Sequence, residues 1–152
     1  MSKISLQMYT MRDYTKTKSD LKGTVKKLSE IGFSNLQYTV QPFITIKETK
    51  ELFDSFGISQ DSDCISFYEI EKNLGRVEEG AKYFKTPYLR TDSMPRELAT
   101  PDGIKQFCAD ANRIGRLISP FGQKLLYHFH SYEFINFEGR YENGIDIFKK
   151  EL

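Results

Sequence analysis

The fold class this sequence predicts is α/β, with parallel strands joined by crossover helices, on three observations. Short apolar runs with strand character begin near residues 3, 35, 59, 87 and 124, an apolar stripe at helical spacing follows each, and Gly or Pro punctuates the junctions. Strand and helix patterns alternating in this way imply parallel strands with right-handed crossovers. At 152 residues the chain suits one domain and is too short for two ordinary ones.

Each unit has its own local reasons. Ile4, Leu6 and Met8 alternate with Ser5, Gln7 and Tyr9, so Lys3 to Tyr9 reads as strand one. Leu21, Val25, Leu28 and Ile31 then recur at helical spacing, with Asp20 as the expected N-cap and Gly32 as the stop. Asn35 to Val40 forms the second strand, and Ile46, Leu52, Phe53 and Phe56 stripe a helix ended by Gly57. Ser59 to Phe67 is the third strand, followed by one helix carrying Ile70, Leu74, Val77, Ala81 and Phe84. Tyr88 to Thr91 is the fourth, and after Pro95 and Pro101 the longest helix shows Ile104, Phe107, Cys108, Ala111, Ile114, Leu117 and Ile118 on one face. Lys124 to His130 reads as the fifth strand, and Gly144 to Leu152 begins the fifth helix. Five such units fit either a flavodoxin-like sandwich or part of an eight-unit barrel, and periodicity does not choose between them.

Composition excludes several classes. The 39% hydrophobic and 28% charged content is that of a globular protein and rules out a disordered or collagenous chain. With 22 basic and 21 acidic residues, no net field draws the molecule to nucleic acid or an anionic membrane. No segment approaches the roughly 18 apolar residues of a membrane span, so a cytoplasmic protein is expected. Cys64 and Cys108 match no metal or redox spacing and read as reduced, structural thiols. The Gly-rich phosphate loops and the serine elbow are absent.

The sharpest local feature is Tyr127-His128-Phe129-His130-Ser131-Tyr132-Glu133-Phe134, which holds both histidines of the chain two residues apart at a strand end. In a strand such residues share a face. Two imidazoles with a carboxylate beyond them suit a divalent metal, or polarisation of a sugar carbonyl and deprotonation beside it. Gln7, Tyr9 and Arg12 end strand one as candidate pocket residues, although Arg12 and Asp13 read equally as a solvated pair. Arg90, Thr91 and Asp92 end strand four, where Arg90 suits a phosphate or sugar hydroxyl, or else a surface salt bridge. Asp61 and Asp63 share a face of the third strand and are expected at its solvated start. Lys16, Lys18, Lys22, Lys26 and Lys27 lack interleaved aromatics and read as a solvated helix face.

Here the chain resembles a family. Leu126 to Phe134 looks like the Gly-Tyr-His-Asn-His-Asp-Phe-Glu-Phe signature of the sugar phosphate isomerase/epimerase group, within the xylose isomerase-like TIM barrels. Ile4 to Asp13 is similar to that group's opening strand, and Leu28 to Gln37 to its first helix-to-strand turn. Phe129 and Ser131 depart from the signature where Asn and Asp are frequent. The resemblance implies a partial (β/α)8 barrel comprising the first five units, within a single domain over residues 1–152. It implies a sugar or sugar phosphate substrate, and proton transfer beside a carbonyl assisted by Mn, Mg, Co or Zn. Glu133 would then be the metal ligand or proton-handling carboxylate, with His128 catalytic beside it, and His130, Gln7, Tyr9 and Arg90 would bind substrate. The missing units imply the alternative of an inert half-barrel that binds a sugar, a second copy or a partner half-barrel through its open strand edges.

Overall fold

The computed structural model describes residues 4–139 and 142–152. Lys3, the expected first residue of strand one, lies outside the described residues. The strands are β1 (Ser5–Gln7), β2 (Asn35–Gln37), β3 (Ser59–Gln60), β4 (Asp63–Cys64), β5 (Tyr88–Thr91) and β6 (Lys124–Tyr127). The helices are α1 (Lys18–Ile31), α2 (Ile46–Ser55), α3 (Phe67–Ile70), α4 (Leu74–Phe84), α5 (Pro101–Ile118) and α6 (Gly144–Glu151). All strand pairs are parallel and form two sheets, ordered β1-β2-β3 and β4-β5-β6.

The expected third strand over Ser59–Phe67 is divided in two. Its first piece pairs back to β2 and its second forward to β5, with Asp61 and Ser62 between them. Side chains occupy the break: the Gln60 amide donates to the Tyr38 and Ser62 carbonyls, and the Gln37 amide donates to Ser62 Oγ at 3.1 Å. Phe67 belongs to α3, not to a strand. The helix expected across Ile70 to Phe84 is likewise interrupted, by a 3-10 turn at Glu71–Asn73.

Other element ends also differ from the sequence pattern. Thr17, not Asp20, caps α1: its hydroxyl oxygen accepts from Asp20 N at 3.1 Å, and the hydroxyl donates to Asp20 Oδ2 at 2.8 Å. Gly32 closes that helix in the left-handed region at φ 107°, where a side chain would be strained. Thr45 and Glu48 cap α2 reciprocally. β1, β2 and β6 stop earlier than their apolar alternation does, at Gln7, Gln37 and Tyr127.

Two apolar clusters hold the helices on the sheets. Leu21, Val25 and Leu28 of α1 and Phe53 of α2 meet Leu36 and Ile58, while Val77, Phe107, Ile114, Ile118 and Phe148 surround Leu89. Leu6, Leu36, Leu89, Leu125 and Tyr127 therefore point to the helices. Alternation turns Gln7, Gln37, Arg90 and Leu126 to the opposite, concave face.

Asp63 points to the helix side and is fully buried, contrary to a solvated strand start. Arg76 of α4 grips both its oxygens, one of them at 2.9 Å, and Cys64 N donates to Oδ1 at 2.8 Å. A buried carboxylate survives in this way, with charge and hydrogen bonds both answered. Gly80 leaves room for the pair, because a Cβ there would collide with Asp63 Oδ2.

Candidate functional site

The C-terminal ends of the strands open into a cleft of about 820 Å³. It gathers Gln7 of β1, Tyr9 just after it, Gln37 of β2, Cys64 of β4, Arg90 of β5, and His128 and His130 beyond β6. Gln7, Tyr9, Arg12, Arg90, His128 and His130, all singled out in the sequence, thus meet around one space. Strand register accounts for part of this: Gln7 lies level with Gln37, and Arg90 level with Cys64.

His128 and His130 lie past the end of β6, yet their rings remain neighbours, with centroids 5.0 Å apart. The His130 ring stacks on Tyr132 at an interplanar angle of 8°. Arg90 sits under the pair. Its Nη1 donates to His128 Nδ1 at 3.2 Å, and its Nη2 lies 2.8 Å from Cys64 Sγ. Burial first, then the charges of Arg90 and His130, hold His128 below the ordinary histidine pKa. Burial likewise raises the Cys64 thiol, which keeps the sulfur neutral beside the guanidinium.

Glu133 occupies a different place from the other candidates. Its side chain is fully buried and does not line the cleft. Tyr127 Oη donates to one carboxylate oxygen at 2.6 Å, and His130 N donates to the other at 2.8 Å. Tyr127 Oη in turn accepts from Met94 N at 3.0 Å, and Tyr132 Oη donates to Met94 O at 2.9 Å. Glu133 thereby ties the strand end to the loop carrying His130. Burial and this carboxylate drive the Tyr127 hydroxyl well above the ordinary tyrosine range.

Tyr9 lies in the 3-10 turn Met8–Tyr14, largely exposed, with Arg12 stacked 4.7 Å over its ring. Arg12 donates to Tyr9 O at 3.1 Å, while Asp13 pairs with Lys16 at 3.3 Å. Asp92 accepts from Phe67 N at 3.2 Å and so anchors the start of α3 at the cleft rim. Sequence reasoning missed Gln37, Tyr38, Thr39 and Cys64 as cleft residues. The place of Gln37 in the second predicted strand, whose C-terminal end faces the cleft, was the available signal for the first, whereas Cys64 offered none. Burial pushes Tyr38 up to about 12, so its hydroxyl stays a donor at neutral pH.

No protein-family model and no curated protein matches the chain. Solved structures do. A sugar phosphate isomerase/epimerase from Parabacteroides distasonis superposes with a TM-score of 0.76 at 19% identity, over 98% of this chain and 61% of that one. The chain has the fold of a partial TIM barrel. A xylose isomerase-like TIM barrel protein from Mycobacterium smegmatis, solved with magnesium, gives 0.67 at 15% identity, covering 99% of this chain and 63% of that one. An L-ribulose 3-epimerase gives 0.63 at 11%, covering 84% and 49%. The partial barrel thus spans roughly half to three-fifths of the length of these structures. No helix among the described residues is long and apolar enough to cross a membrane.

Proposed function

We propose that this partial barrel carries the substrate-binding share of a sugar or sugar phosphate isomerase/epimerase site, acting by proton transfer beside a carbonyl. The observation that carries the reading is the convergence of Gln7, Gln37, Arg90, His128 and His130 on one cleft at the strand ends. That is the edge where barrels of this kind place their chemistry. The two amides suit hydroxyl groups, which need donors and acceptors together. Arg90 and His128 suit a carbonyl or phosphate oxygen, and the exposed His130 is the cleft imidazole placed to take a proton. Similar barrels named for sugar isomerisation and epimerisation add support at the level of fold.

A divalent metal belongs to this reading only in part. Among the described residues no three His, Cys, Asp or Glu side chains converge as ligands. Both oxygens of Glu133 are engaged, and His128 Nδ1 faces a guanidinium. The described residues do not assemble a metal site by themselves. Glu133 supports the site here by holding the backbone of His130.

Nitrogen-15 NMR titration with a ketose, an aldose and their phosphates tests the proposal. Shifts at Gln7, Gln37, Arg90, His128 and His130 are expected, and an unchanged cleft at tens of millimolar sugar refutes it. A second reading, an inert half-barrel that pairs with another chain, is favoured by one observation. Leu126, Phe129, Phe134 and Ile135 stand exposed in and just after β6, which is an edge strand of its sheet among the described residues. Sedimentation analysis decides this: a monomer across the micromolar range removes pairing between copies, and a concentration-dependent dimer supports it.

A further inference from the structure

Arg90 is charged, half-buried and without a carboxylate partner among the described residues. Its Nε is buried and makes no hydrogen bond. Its two terminal nitrogens face a neutral thiol and an imidazole, neither of which carries negative charge. Burying a cation is costly unless an anion answers it. Asp63, the buried carboxylate on the neighbouring strand, is already held by Arg76 on the other face of the sheet. Asp92, the one carboxylate lining the cleft among the described residues, accepts from Phe67 N and Thr91 Oγ1 on one oxygen, Oδ1, and makes no ion pair with Arg90. Among the described residues Arg90 is therefore a positive charge lining the cleft with no carboxylate in hydrogen-bond contact with it.

The same guanidinium sets the state of the histidine above it. A guanidinium only donates, so His128 Nδ1 must accept, and the ring proton must sit on Nε2. The ring nitrogen left for a ligand is then a donor.

We propose that Arg90 and His128 form a receptor for an anionic oxygen, a carboxylate or phosphate group of the ligand, in which Arg90 supplies the charge and His128 Nε2–H a directed hydrogen bond. Cys64 serves as the neutral rest that keeps the guanidinium under the ring. This rests on the sugar-binding reading of the cleft and deepens it to an acidic or phosphorylated sugar. His128 accordingly donates to the ligand oxygen, which leaves His130 as the cleft imidazole whose nitrogens Arg90 does not bind.

The chain has two histidines, so long-range nitrogen–proton NMR resolves both rings. The expected result is an Nε2–H tautomer for His128 and a shift of that signal on adding inorganic phosphate. Gluconate shifting it in place of phosphate assigns the receptor to carboxylates, and glucose should shift it less than either anion does. Arg90→Met should weaken anion binding about ten-fold or more, as loss of a charge-assisted contact requires, and let His128 populate the other tautomer. Arg90→Lys, whose ammonium also only donates, should keep part of the anion affinity that Arg90→Met loses, which a purely structural arginine would not show. An Nδ1–H tautomer in the unmodified protein overturns the proposal without any variant. So does undiminished anion binding by folded Arg90→Met. If neutral ketoses move the cleft signals and neither anion does, this receptor fails while the sugar reading stands. If anions bind and no sugar does, the reverse holds.

Discussion

Replacing Glu133 by Gln separates a bracing role from direct chemistry. The carboxylate is fully buried and accepts from Tyr127 Oη at 2.6 Å and from His130 N at 2.8 Å. In Glu133→Gln the amide oxygen can keep one donor, and the amide NH2 must face the other. With the oxygen toward His130 N, the NH2 meets Tyr127 Oη, which already accepts from Met94 N at 3.0 Å and loses the acceptor for its own proton. One charge-assisted hydrogen bond is lost and one buried hydroxyl proton is orphaned, for about 2–3 kcal/mol in total. A domain of this size should then melt about 5–10 °C lower. Thermal and urea unfolding followed by circular dichroism measures this, and Tyr127→Phe, which strands the same carboxylate and Met94 N, should cost at least as much. If Glu133→Gln leaves the melting temperature unchanged yet abolishes sugar binding or turnover, the bracing argument is wrong and Glu133 acts on the ligand itself.

Two further outcomes follow from the geometry. Arg76→Met should destabilise the chain by about 3–5 kcal/mol, because it strands the buried Asp63 carboxylate; Asp63→Asn in the same background should recover part of the loss, and additive costs in the denaturant cycle would refute the pairing. His128 has a folded pKa below its ordinary value of 6.5 through burial, Arg90 and His130, with Glu133 opposing, so the unfolded chain binds its proton first. Stability should therefore fall as pH drops from about 6.5 through the folded pKa, and His128→Gln should flatten that slope in unfolding curves between pH 7 and 5.

What the sequence alone determined about this protein was its period and its punctuation. The α/β class, five units, and the approximate place of each apolar run follow from spacing, because a buried face repeats every two or every 3.6 residues whatever packs on it. The strand-end positions of Gln7 and Arg90 were legible for the same reason, whereas His128 and His130, read as the last residues of the fifth strand, lie past its end. Element ends were not, because they depend on who takes each backbone group. Asp20 looked like the cap of α1, but Thr17 could both accept from the backbone and donate to Asp20. The third strand looked continuous until side-chain amides of Gln37 and Gln60 took up the break in its ladder.

Only the tertiary structure decided which polar residues face one another. Asp63 and Arg76 are thirteen residues apart on different elements, and neither position announces a buried ion pair. Glu133 and His130 lie three residues apart in one motif, yet burial sends the carboxylate inward to Tyr127 and leaves the imidazole in the cleft. Arg90 read as a surface salt-bridge residue or a ligand contact, and folding set it in the cleft against a thiol and an imidazole, with no carboxylate bound to it among the described residues. Each of these follows from the cost of a polar group out of water, which is assessed in three dimensions and has no fixed spacing along the chain.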